Sequence, residues 1–381
     1  MKTFEVKTKI NFGQNALDRL LDFKTERVLI IADPFVVSSG LIRQVTGRLD
    51  RTQVTYEIYQ DVVPDPPIEK IIGGVRQLMA FHPDYIVAVG GGSALDLAKG
   101  VRKFAAEMSQ SERIPMFAIP TTSGTGSEVT SFAVITDSEA NRKYPLSSDD
   151  MIPDEAILDE ELVKSVPASI TADTGMDVMT HAIEAYVSIN NNEFSGALAE
   201  KSVEICGQFL LRSYASCEDS HARRKMHIAS CLAGLAFNSA SLGLTHGMAH
   251  QLGAKFHIPH GRANAILLPT IIQYNSRIDR ASRSRKEYDP CVRKYCNVAR
   301  VLGVSNLNEI TTVHALVAYL RFMNSEMDIP SNIRDLGSVS AADYFEAIND
   351  MAAAALADGC TATNPRTPTL EEVIELYKKI W

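Results

Sequence analysis

The first half of the chain alternates short apolar runs with stretches of helical periodicity. RVLIIAD (27–33), QVTYEIY (53–59), YIVAV (85–89) and MFAIP (116–120) are short and rich in β-branched residues, so each reads as a strand. A helix is predicted over Ile68–Phe81, after the proline-rich turn Val63–Pro67, and another over ALDLAKG, directly after the glycines that follow YIVAV. Met1–Gln14 is polar and strand-like, and Thr130–Thr136 with Lys143–Ser147 predicts a hairpin interrupting the alternation. Strands separated by helices imply a parallel sheet covered by helices.

From Thr171 onward the strand signal disappears, and Glu193–Tyr214, Ala222–Leu242 and Ala341–Ala357 read as long helices. The expected boundary lies at Pro167–Thr171, giving an α/β domain over 1–170 and an all-α domain over 171–381. The stretch Ile228–Thr245 carries no charge. It is rich in Ala, Gly and Ser and contains Asn238, so it reads as a buried helix that admits close neighbours rather than a membrane span. No internal repeat or low-complexity tract is evident.

At 381 residues the chain is long enough for two full cores, and 45% hydrophobic with 22% charged residues is ordinary globular composition. A net charge of -8 argues against nucleic acid or an anionic membrane surface as partner, because both need a basic excess. The basic residues of Arg277–Arg300 are interspersed with acidic ones and read as a solvated face. The six cysteines contain no CxxC pair, and the N-terminus shows no apolar targeting core. They read as reduced thiols of a cytoplasmic protein.

Two glycine-rich turns follow neighbouring strands. Gly90-Gly91-Gly92-Ser93 sits between a strand and a helix, where free backbone N–H groups and the helix dipole suit a pyrophosphate. Thr121–Glu128, dense in hydroxyls and glycines, is the second; together they suggest a dinucleotide at the strand carboxyl ends. Asp33, ending the first strand, is placed to accept hydrogen bonds from an adenosine ribose, or simply to start a turn before Pro34. A carboxylate there favours NAD(H) over NADP(H), and none of Pro34, Phe35, Val36 and Val37 carries a positive charge to offset it.

In the helical half, Asp177 and His181 are four apart and leave one face of a helix. His246 opens a second such pair with His250, and His260 follows beside a proline and a glycine. One carboxylate and three imidazoles, Asp177, His181, His246 and His260, make a four-coordinate set without thiolate that suits Fe(II) or Zn(II).

GGGSALDLAK, PTTSGTGSEVT, TGMDVMTHAIEAY and GLTHGMAHQLGAKFHIPHGRANAILLP together resemble the iron-containing (group III) alcohol dehydrogenases, over a span reaching CTATNPR. Within that family the chain is similar to the 1-propanol dehydrogenases of propanediol-using bacterial microcompartments. It is also similar to the alcohol dehydrogenase half of bifunctional aldehyde/alcohol dehydrogenases. The resemblance implies a Rossmann-like dinucleotide-binding domain and an all-helical metal-binding and substrate domain, the dehydroquinate synthase-like architecture. It also implies a homodimer or larger homo-oligomer, in the cytoplasm or inside a microcompartment among its shell and enzymes.

Carried over position by position, the metal ligands fall on Asp177, His181, His246 and His260, and a non-ligand histidine close to substrate falls on His250. Cofactor contacts fall on Asp33, Asp65, Gly91, Gly92, Ser93, Asp96, Thr121, Thr122, Thr125, Lys143 and Leu162, and the substrate pocket on Phe237 and Cys360. Arg262 is bulkier than the family pattern leads one to expect. The implied activity is interconversion of short-chain primary alcohols and aldehydes, such as propanol and propionaldehyde, with NAD(H) and Fe(II), running toward aldehyde reduction in the cell. Here His250 serves either as proton relay or to orient the ligands. A polyol dehydrogenase of the glycerol dehydrogenase type, usually holding zinc, and a non-catalytic scaffold stay open as alternatives.

Overall fold

The computed structural model describes residues 3–24, 26–110, 112–137, 142–277 and 290–381, apart from the side chains of residues 137 and 142–145. The chain folds into two compact units, Met1–Val166 and Pro167–Trp381.

The first unit is built on β1 (Lys9–Phe12), β2 (Arg27–Ala32), α1 (Pro34–Ser38), α2 (Arg43–Leu49), β3 (Thr55–Tyr59), α3 (Ile68–Phe81), β4 (Tyr85–Gly90), α4 (Gly92–Ser109) and β5 (Met116–Pro120). An antiparallel ribbon of β6 (Phe132–Asp137) and β7 (Arg142–Ser147) follows, then β8 (Glu155–Leu158). Six strands form one parallel sheet in the order β1-β8-β5-β4-β2-β3. The inner strands are buried on both faces, which explains their unbroken apolar runs. β8 was not anticipated: four residues beginning with Glu155 carry too little pattern, yet Ala156 and Ile157 are fully buried between β1 and β5.

The strand order reverses between β2 and β4, since the chain runs outward from β2 to β3 and returns to the other side of β2. Such a reversal leaves a crevice at the strand carboxyl ends. Asp33 and Gly90 stand there; a β-carbon on Gly90 would lie 2.6 Å from Asp33 Oδ2, and its φ of 156° is one that side-chain-bearing residues avoid.

Among its described residues the second unit has helices and no strand: α5 (Ala168–Val187), α6 (Glu193–Ala215), α7 (Ser220–Ala240), α8 (Leu244–Phe256), α9 (His260–Ser276), α10 (Pro290–Val301), α11 (Glu309–Glu326), α12 (Ala341–Ala357) and α13 (Leu370–Lys379). Met176, Val178, Met179, Ala182 and Ile183 of α5 are all fully buried, so this helix is enclosed on every side. Among the described residues no single helix is long and apolar enough to cross a membrane.

The uncharged stretch Ile228–Thr245 is not one helix, as its composition suggested. It breaks between α7 and α8, whose axes bend by 107°. Ser241 makes the corner at φ 60°, ψ -168°, a region that is essentially glycine's. A residue held there costs about 1–3 kcal/mol. Ser241→Gly should therefore stabilise the fold by about 1 kcal/mol, less than the full strain because glycine loses more entropy on folding. Denaturant unfolding of the two proteins measures it, and a lower midpoint for the variant would show that Ser241 is not strained.

Candidate active site

α5, α8 and α9 bring the four predicted metal ligands together. Asp177 and His181 lie one turn apart on α5, with Oδ2 and Nδ1 4.0 Å apart. From α8, His246 places Nε2 3.7 Å from Asp177 Oδ1; from the first turn of α9, His260 places Nε2 3.5 Å from the same oxygen. One ligand atom from each of the four lies within 4.8 Å of every other. Asp177, His181 and His246 are buried, whereas the His260 side chain is 41% exposed. Gly261 permits this approach: a β-carbon there would overlap the carbonyl oxygen of Asp173, one turn before Asp177 on α5. Arg262 is accommodated by turning outward to donate from Nε to Asp173 Oδ1 at 2.9 Å.

The Asp177 carboxyl is held far below the usual range. Burial alone would raise its pKa, but the surrounding His181, His260 and His246 outweigh it. Asn264, one turn beyond His260, points Nδ2 at Asp177 Oδ1 (2.7 Å), His246 Nε2 (3.1 Å) and His260 Nε2 (3.2 Å). Its Oδ1 makes no hydrogen bond among the described residues.

His246 Nδ1 donates to Glu184 Oε2 at 2.6 Å, and His250 Nδ1 to Asp358 Oδ2 at 2.8 Å. Asp358 is pushed down to about 2: burial opposes this, but the His250 hydrogen bond and the Cys360 N–H prevail. His250 stacks on His260 with ring centres 5.3 Å apart, and Cys360 groups with His250 and Asp358. Phe237 stacks on His181 at 4.6 Å. Both residues expected in the substrate pocket thus lie against the histidines.

The expected nucleotide contacts lie in the first unit. Thr121 N–H donates to Gly90 O at 2.9 Å, joining the two glycine-rich turns, and Thr122 and Thr125 face Gly91 and Gly92. Ser93 is in the first turn of α4, where backbone N–H groups have no helical partner. Asp33 caps α1, its Oδ1 accepting from Val36 N–H at 2.9 Å. Asp65 takes a left-handed conformation, φ 49°, and its carbonyl accepts from Thr136 Oγ1. Asp96 spends one oxygen on Ser127 Oγ (2.6 Å) and the other on Val134 N–H (2.9 Å), so it ties the second turn to α4. Leu162, a further expected contact, is fully buried in the core beside Leu17 and Ile157. The side chain of Lys143 lies outside the described residues.

A family profile described as "Iron-containing alcohol dehydrogenase" matches residues 7–160, and one described as "Fe-containing alcohol dehydrogenase family, C-terminal" matches 171–381. The chain belongs to the iron-containing alcohol dehydrogenases. It is 40% identical to "1-propanol dehydrogenase PduQ" of Citrobacter freundii, over 100% of both chains. It is 33% identical to "NADPH-dependent butanol dehydrogenase" of Clostridium saccharobutylicum, over 100% of this chain and 98% of that one. Among solved structures, a 1,3-propanediol oxidoreductase superposes with TM-score 0.90 at 30% identity, covering 100% of each chain.

The residues fit the ion that the family name implies. Ligands roughly 2.1 Å from a common ion at tetrahedral angles stand about 3.4 Å apart. The 3.5 and 3.7 Å separations around Asp177 Oδ1 are close to that value. The Asn264 amide nitrogen has two hydrogens for the three lone-pair-bearing atoms that face it, so at least one of them is left for a cation.

Sequence reasoning missed Glu184, Asn264 and Asp358. Asp177, His181 and Glu184 follow i, i+4, i+7 on one helix face, and His260 and Asn264 are four apart, so two of the three had a local signal. Asp358 is 108 residues from His250 and had none.

His260→Ala is expected to lose the metal, because a four-residue set is reduced to three at its most exposed member. His250→Ala should keep it and slow turnover by about 10²–10⁴-fold, the usual loss for a proton-transfer group. Metal analysis of the purified variants decides; a metal-free His250 variant would make that residue a ligand.

Proposed function

We propose that this chain is an Fe(II)-dependent, NAD(H)-using dehydrogenase that interconverts short-chain primary alcohols and aldehydes. The observation that carries this reading is the convergence of Asp177, His181, His246 and His260 beside His250. Support also comes from full-length similarity to a 1-propanol dehydrogenase. When bound, the cation supplies Lewis acidity toward an alcohol or carbonyl oxygen, and the dinucleotide accepts or donates the hydride.

The chain's own part is positioning and proton management. Asp177, His181, His246 and His260 hold the cation. Phe237, wedged on His181, and Cys360, beside His250, give the substrate an apolar wall. Asp358, ionised throughout the working range, accepts from His250 Nδ1 and leaves Nε2 as the nitrogen that takes up or releases the substrate hydroxyl proton. Pyrophosphate recognition is assigned to the N–H groups opening α4 and to the Thr121–Thr125 turn.

The NAD(H) preference is assigned to Asp33. With Oδ1 taken by Val36 N–H, Oδ2 is the oxygen free to meet a ribose hydroxyl, and it would repel the 2′-phosphate of NADP. The butanol dehydrogenase relative named for NADPH makes this a real choice within the family.

A panel of C2–C6 aldehydes, assayed with NADH and with NADPH after anaerobic Fe(II) loading, tests the reading. Turnover of short aldehydes with NADH is expected. Full activity in protein holding zinc and no iron would overturn the metal assignment. In the same assay Asp33→Asn, which retains the helix cap but not the charge, should shift preference toward NADPH by about 5- to 150-fold. An unchanged ratio would show that Asp33 does not meet the ribose.

A further inference from the structure

Glu184 is almost completely buried and carries no part of the reading above, yet it is surrounded by donors. Its Oε1 accepts from Thr245 N–H at 2.7 Å; its Oε2 accepts from Gly243 N–H at 3.0 Å, His246 N–H at 3.4 Å and the His246 ring at 2.6 Å. α8 begins inside the protein with Gly243 as its cap, a residue that has no side chain to satisfy the helix's first N–H groups. Glu184 takes three of those groups, and Asn364 Oδ1 takes the one between them, from Leu244, at 3.1 Å. The same carboxylate therefore seats the start of α8 and grips the first histidine on it.

We propose that Glu184 is the positioning residue of the metal centre. By accepting the hydrogen bond from His246 Nδ1 while anchoring the turn that bears this ring, it keeps the Nε2 lone pair turned to Asp177 and so sets how tightly the cation is held. The inference rests on the assignment of His246 as a ligand.

The chemistry specifies a carboxylate. All four partners are donors, and a carboxylate offers about four acceptor sites on two oxygens. Glutamine has the same shape but only one accepting atom, so its NH₂ must face a donor. Toward Thr245, it faces an N–H and loses that hydrogen bond. Toward His246, it would donate to Nδ1 and drive the ring proton onto Nε2, where the metal requires a lone pair. Hydrogen-bond partners behind metal-ligating histidines commonly govern affinity by about 10–100-fold.

The test compares Zn(II) affinity of metal-stripped wild type and Glu184→Gln by competition with a chromophoric chelator, with circular dichroism to establish that both are folded. The variant should bind 10–100-fold more weakly. Glu184→Asp, which keeps both accepting oxygens, should recover part of that loss. Equal affinity for wild type and folded Glu184→Gln overturns the inference while leaving the metal centre intact. Wild type that fails to bind Zn(II) overturns the ligand assignment itself. If Glu184→Gln does not fold, the histidine ¹⁵N spectrum of Zn(II)-loaded wild type decides. The inference requires His246 protonated at Nδ1 and coordinated through Nε2, and the opposite arrangement sinks it.

Discussion

Much of the helical unit is arranged around the buried carboxylate of Asp177. Asp177 is 4% exposed on a helix enclosed on every side, and a carboxylate removed from water costs several kcal/mol unless matched by donors or positive charge. That demand accounts for features that otherwise look unrelated. α9 starts with His260 directly after Pro259, and Gly261 lets it press against the backbone of α5. The chain also turns through 107° between α7 and α8, at the cost of an unfavourable backbone at Ser241, and His246 lies in the turn that follows. Strain and close approach concentrate where the polar cluster is assembled, as expected where function competes with ease of folding.

The two histidines on α8 share one wiring scheme in two different surroundings. Each presents Nδ1 to a carboxylate, His246 to Glu184 and His250 to Asp358, so each turns Nε2 the other way. For His246 that direction is Asp177, deep in the cluster. His250, one turn later, groups with Asp358 and Cys360 instead. The acidic partner fixes the ring in both cases; burial and neighbours set the surroundings of the remaining nitrogen, enclosed for His246 and half-buried for His250.

Much of this was legible in the sequence because it is written in short-range periodicity. Strand runs, the helix over Ile68–Phe81 and the i, i+4 pairs Asp177/His181 and His246/His250 depend only on neighbouring residues. The losses follow from the same fact. β8 is four residues long and gains its identity from the strands beside it. The break at Ser241 opposes local preference, so composition read through it. Glu184 was legible as a same-face acid, but its task depends on Gly243, Thr245 and His246, brought to it only by the fold.

In the α/β unit the same logic makes two motifs into one device. α4 begins beneath the first glycine turn, and three residues apart on it stand Asp96 and Lys99. Asp96 holds Ser127 and Val134; Lys99, fully buried, donates to Thr130 Oγ1 at 3.1 Å and to the Phe132 carbonyl at 2.7 Å. Burial pushes the Lys99 ammonium down to about 8, with Asp96 and Glu128 acting to keep it charged. A buried cation and a buried carboxylate side by side are costly elements to retain in a core. What they accomplish is to fix the turn after β5 against the turn after β4 before any ligand arrives. Preorganised N–H groups spare a bound pyrophosphate the entropy of ordering two mobile loops. GGGSALDLAK and TTSGTGSEVT therefore belong together physically: the first supplies both a glycine turn and, one and two helical turns later, the charges that hold the second in place.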